Sequence, residues 1–119
     1  MAPPLRYAIL WHDDVPGPHF DLMFETLPGS ALSTWRCPRW PVEAPTPATR
    51  LTDHRRAYLE YEGDLSGRRG RVTRVMAGAC EVEVGEGSVW TVCLLTGSPP
   101  QRLVLRAVAG DQWEVAPAP

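Results

Sequence analysis

The chain has no lysine, and all twelve of its basic residues are arginines. It also lacks an excess of positive charge: the net charge is −2, which excludes a protein that coats nucleic acid through a broad positive field. No apolar run approaches the roughly 20 residues needed to span a bilayer. The N-terminus, Met1 to Tyr7, lacks the apolar segment of a secretory signal, so a cytoplasmic protein without a membrane partner is expected. Cysteine is scarce. Cys37, Cys80 and Cys93 are odd in number, widely spaced and form no CxxC pair, which excludes a disulfide framework and a cysteine zinc site and predicts buried, reduced thiols. Thirteen prolines and ten glycines are spread along the chain and leave few windows long enough for a helix.

What is present points to β structure. A length of 119 residues fits one domain, expected over residues 1–119 with 116–119 as a frayed tail. Arg6 to Trp11 reads as a first strand, His19 to Thr26 as a second and Ala31 to Cys37 as a third. In the second, alternation puts His19, Asp21, Met23 and Glu25 on one side and Phe20, Leu22 and Phe24 on the other. Pro38 to Thr49 carries four prolines and reads as an irregular loop. Thr52 to Tyr61 is the best helical candidate, capped by Thr52 or Asp53 and ended by Gly63, and would place His54 and Tyr58 on one face. A turn-rich basic loop follows to Gly70. Short β runs are then expected at 71–76, 79–84, 88–95, 102–108 and 112–115. The predicted fold is mainly β: a small antiparallel barrel or sandwich with one short helix and long loops.

The chemistry concentrates in His12-Asp-Asp-Val-Pro-Gly-Pro-His-Phe-Asp21. A histidine ending one strand and a His-x-Asp on the next present three ligands to one point, because residues two apart in a strand project the same way. Two imidazoles and a carboxylate suit Mn²⁺, Fe²⁺ or Zn²⁺, with positions left for water or substrate. The bland alternative is three unconnected polar residues beside a turn. Asp13, Asp14 and Glu25 read either as extra ligands or as solvated side chains. Arginines gather at 50, 55, 56, 68, 69, 71 and 74, where they make either a local anion-binding face or an ordinary solvated surface. Trp40, beside Arg39 in the proline-rich loop, is a base-stacking candidate.

The ordered set His12, His19-Phe-Asp21, Leu32-Ser-Thr-Trp35-Arg-Cys-Pro38-Arg39, Asp53-His54, Tyr58 and Tyr61-Glu-Gly63 resembles the 3′-phosphoesterase domain family, found at the N-terminus of bacterial DNA ligase D and as stand-alone proteins. The resemblance spans residues 7–82. It implies a small β-barrel hydrolase of DNA repair that trims 3′ ends, removing a terminal ribonucleoside and then a 3′-phosphate, with Mn²⁺ as metal. His12, His19 and Asp21 would be the metal ligands, and His54, assisted by Tyr58, would act on the scissile phosphate. Arg39, Arg50, Arg69, Arg71 and Trp40 would contact nucleic acid, and a separate ligase or polymerase of end joining would be a partner.

The chain also departs from that pattern. Met23 stands where the family has a phosphate-gripping arginine, Leu10 where a glutamine is expected, and Arg39 where the family has a lysine; the loop from His12 to His19 is one residue longer. Two readings follow. Another arginine, among Arg6, Arg39, Arg50 and the 68–74 group, supplies the charge; or the domain is catalytically degenerate, binds metal, docks on DNA ends or a repair partner, and regains activity when arginine replaces Met23. A two-histidine-one-carboxylate iron oxygenase uses the same ligands but normally needs a longer chain.

Overall fold

The first two strands, β1 (Leu5–Asp13) and β2 (His19–Glu25), form a hairpin that sets His12 opposite His19 and Tyr7 opposite Phe24. Side-chain alternation sorts this hairpin between two cores. Tyr7, Ile9, Leu22 and Phe24 enter one, while Ala8, Leu10 and Met23 enter a second on the opposite face. Both faces are therefore covered, which explains why these strands carry so few solvated positions. The computed structural model describes residues 4–86 and 88–119.

β3 (Leu32–Cys37) joins β2, and β4 (Thr46–His54) joins β3. A two-residue β5 (Gly63–Asp64) lies along the start of the long β6 (Arg71–Val84). β7 (Val89–Leu94), β8 (Gln101–Ala109) and β9 (Gln112–Pro117) complete the set. β9 pairs with β4, and β6 returns to β1, so eight strands close an antiparallel barrel with β5 outside it. The barrel interior is the first core. Trp35 sits at its centre, with the rings of Trp90 and Trp113 edge-on at 5.0 and 5.3 Å. The second core lies outside the barrel wall, where Leu59, Val72 and the flanking Tyr58 and Leu65 cover β1 and β2.

The mainly β expectation holds, and four local expectations are corrected. The loop predicted over 38–49 ends early, because β4 starts at Thr46. Pro47 is tolerated there since the β3 ladder begins only at Thr49, so its missing N–H removes no bond from that ladder. The helix predicted over 52–61 is replaced by the end of β4 and a single 3₁₀ turn, Arg56–Leu59, without a side-chain cap. A ten-residue helix is too short to be stable by itself, and the ladder pairing His54 with Leu32 captures its first turn. The runs at 71–76 and 79–84 are one strand, carried through Gly78 by pairing with β1 and bulged where the register shifts between Met76 and Arg74. The tail is not frayed throughout: Ala116 and Pro117 pair with β8, and the Ala118 N–H donates to the Arg102 carbonyl. The three cysteines are free and buried, as expected, and burial pushes the Cys80 thiol up to about 12. Among the described residues no helix is long and apolar enough to cross a membrane.

Candidate metal centre and its cavity

The β1–β2 register brings His12, His19 and Asp21 together on the face that turns toward the second core. One donor atom from each lies within 4.8 Å of the others. The His12 Nδ1 to Asp21 Oδ2 separation is 3.7 Å, and His19 Nε2 to Asp21 Oδ1 is 3.2 Å. Ligands bound at about 2.0–2.2 Å to one ion stand roughly 3–4 Å apart, so these spacings fit a common cation.

The backbone fixes which nitrogen of each ring faces inward. His12 Nε2 donates to the Arg69 carbonyl at 2.6 Å, and His19 Nδ1 donates to the Gly17 carbonyl at 2.9 Å. The lone pairs of His12 Nδ1 and His19 Nε2 are thereby left pointing at a carboxylate. His19 Nε2 and Asp21 Oδ1 are both buried without a hydrogen-bond partner. Two buried acceptors face to face are unfavourable unless a positive charge lies between them. Burial opposes charge on His19, but Asp21 and the Gly17 carbonyl outweigh it, and the pKa is raised above its ordinary value. A positive charge, either a proton or a metal ion, relieves that arrangement, and two imidazoles with one carboxylate are ligand types that suit a divalent transition metal. Carbonyl-anchored histidines are the usual outer support of such a centre.

Gly70 makes the His12 anchor possible. Its φ is +93°, and a Cβ there would come within 2.6 Å of Val15 Cγ1 and 3.0 Å of His12 Nε2. Only glycine lets the 66–70 loop lie this close to the ring.

A cavity of about 130 Å³ lies at the centre, lined by His12 and Asp21 together with His54, Tyr58 and Arg69 among others. His54 reaches it from the end of β4 and Tyr58 from the 3₁₀ turn, so the pair meets without a shared helix; the ring centroids are 5.7 Å apart. His54 Nδ1 donates to the Thr52 carbonyl at 3.0 Å, which leaves Nε2 available as a third acceptor. Leu10, Leu65 and Val72 supply apolar wall.

Among the arginines singled out in the sequence, Arg69 lines this cavity. Arg50 is half-buried against the barrel's tryptophans, with its guanidinium carbon 4.4, 5.0 and 5.5 Å from the ring centroids of Trp35, Trp90 and Trp113. Arg71 faces Asp64 at 3.4 Å. Arg39 is exposed in the loop after β3, and Trp40 packs half-buried against the barrel core, so neither lines the cavity. Asp13 and Asp14 lie outside the ligand cluster.

Met23 is fully buried at 0% exposure, in one cluster with Leu10, Leu32 and Leu59. Glu25 is also buried, and is neither a ligand nor solvated. It accepts hydrogen bonds from the Arg6 N–H at 2.7 Å, the Gly29 N–H at 2.9 Å and Arg56 Nε at 3.0 Å. Sequence reasoning missed this role; the signal available was an acidic residue on an otherwise covered strand face. No protein-family model matches the chain, and no curated protein matches it either.

Proposed function

We propose that this protein is a metal-dependent phosphoesterase that processes 3′ ends of nucleic acid, with Mn²⁺ as the preferred metal and a role in DNA repair. The observation that carries this reading is the His12–His19–Asp21 cluster, in which the buried His19 and Asp21 present orphaned acceptors, and whose His12 and Asp21 line one cavity with His54, Tyr58 and Arg69. His12 Nδ1, His19 Nε2 and an Asp21 oxygen would hold the ion. When bound, the metal polarises a phosphoryl oxygen and helps to orient water. Arg69 supplies a second positive charge beside a developing oxyanion, taking the place of the arginine absent at Met23. His54, its Nδ1 proton committed to Thr52, presents Nε2 to move a proton at the leaving oxygen, and Tyr58 packs against it. The apolar walls lower the local dielectric and strengthen these interactions. Three buried free thiols suit a reducing, cytoplasmic setting, and a separate ligase or polymerase would use the trimmed end.

The direct test is incubation with Mn²⁺ and a primer-template ending in a 3′-ribonucleotide or 3′-phosphate. Product is expected from the parent and none from His19→Ala or His54→Ala. A preparation that binds metal yet releases no product overturns the enzymatic reading.

The packing of Leu10 and Met23 favours a second reading, a metal-binding domain that docks on DNA ends without turnover. It predicts salt-sensitive end binding and no product. Arginine at position 23 is not a usable rescue, because it would bury a charge among Leu10, Leu32 and Leu59.

A further inference from the structure

A second groove, of about 250 Å³, adjoins the cavity of the candidate centre. Tyr58, Leu65 and Arg69 line both, so the two share a wall. Beyond that wall the groove adds Arg55, Tyr61 and Ser66. The Arg55 guanidinium carbon stands 5.9 Å from the Tyr58 ring centroid, which holds its charge at the groove beside the ring. Arg69 donates from Nε to the Ser66 carbonyl at 2.7 Å and from Nη2 to Ser66 Oγ at 2.9 Å. These two bonds orient the guanidinium and leave its remaining N–H groups for a ligand. One carboxylate, Asp64, lines the groove, and it faces Arg71 at 3.4 Å. Among the described residues no carboxylate pairs with Arg55 or Arg69. Two arginines thus converge on one concave surface that opens from the candidate centre, and the one carboxylate on that surface, Asp64, is paired with Arg71.

Planar arginine forks placed this way match the oxygens of a phosphodiester. We propose that the groove is a subsite for the phosphate one nucleotide inward from the terminal ester, held by Arg55, with Arg69 on the wall shared between the two phosphates. This assignment rests on the phosphoesterase reading and deepens it, because it fixes the substrate class as a strand of at least two nucleotides. A nucleoside 3′-phosphate by itself leaves the subsite empty. The strand runs from the metal cluster past Tyr58 toward Arg55.

The test compares thymidine 3′-monophosphate with the thymidine dinucleotide carrying a 3′-phosphate, titrated into the full chain in EDTA so that turnover is stopped. The dinucleotide is expected to bind at least about tenfold more tightly, and Arg55→Ala to abolish that advantage while reducing the salt slope by about the one phosphate contact removed. Arg55 is exposed, so the variant is expected to fold, and its circular dichroism and Mn²⁺ affinity are expected to equal the parent's. Equal binding of the two ligands, absence of binding, or an advantage that survives Arg55→Ala overturns the subsite. Hydrolysis of a 3′-phosphate without a dinucleotide advantage rejects the subsite and keeps the metal centre. A dinucleotide advantage in a protein that binds no metal keeps the groove and rejects the centre.

Discussion

A histidine becomes a dependable ligand when something other than the metal decides which nitrogen carries the proton. Backbone carbonyls do this for His12, His19 and His54, through Arg69, Gly17 and Thr52. The residue types were visible in the sequence, and so was their strand-face spacing. The anchors were not, because a carbonyl belongs to every residue and its partner is set only by the fold. Gly70 is the most demanding of these supports, since its missing side chain admits the loop that holds His12. Gly70→Ala is therefore expected to weaken Mn²⁺ or Zn²⁺ binding by roughly 10–100-fold, the usual effect of disturbing an outer-shell partner. Calorimetric titration of the folded variant measures it. Unchanged affinity would show that the Arg69 carbonyl contributes nothing to the centre.

At the scale of elements, the segment carrying His54 and Tyr58 is held by Glu25. The 3₁₀ turn at Arg56–Leu59 has no cap of its own, yet Arg56 Nη2 reaches Glu25 Oε2 at 2.8 Å, and the same carboxylate takes the N–H groups of Arg6 and Gly29. Burial would raise the Glu25 pKa, but the bonds from Gly29, Arg56 and Arg6 outweigh it and hold the pKa below the ordinary value. A carboxyl depressed in the folded state stabilises the protein fully above its unfolded pKa, near 4.3, and loses that contribution as pH falls through the folded value. Glu25→Gln is thus expected to cost about 1–3 kcal/mol at pH 7, with the gap to the parent shrinking below about pH 4. Urea unfolding at pH 7 and pH 3 reads both, and an equal gap at the two pH values would remove Glu25 from this role. The period-two pattern made β1 to β3 legible in advance. It failed for β4, whose Thr-Pro-Ala-Thr start reads as loop until β9 is placed beside it, and for the helix expected from Thr52, where strand pairing overrode local preference.

For the molecule as a whole, the barrel type could be anticipated from short strands and frequent turns, but what fills the barrel could not. Arg50 resembled a surface cation suited to phosphate, and instead lies half-buried over the rings of Trp35, Trp90 and Trp113, with Asp53 at 4.0 Å. Its charge faces three aromatic rings and its stem adds apolar packing. Arg50→Ala is expected to lower stability by about 2 kcal/mol or more and to leave metal binding unchanged. Denaturant midpoints together with metal titration check both halves, and a variant of parental stability that loses metal would reverse the assignment. Two of the barrel's joins link strands far apart in sequence. One, between β1 and β6, runs from Leu5 to Asp13 and lies under the candidate centre; the other, between β4 and β9, pairs Thr46 to Thr49 alone and lies diametrically across the circle. The shorter join has fewer ladder pairs, so it is expected to open first, on the side away from His12, His19 and Asp21.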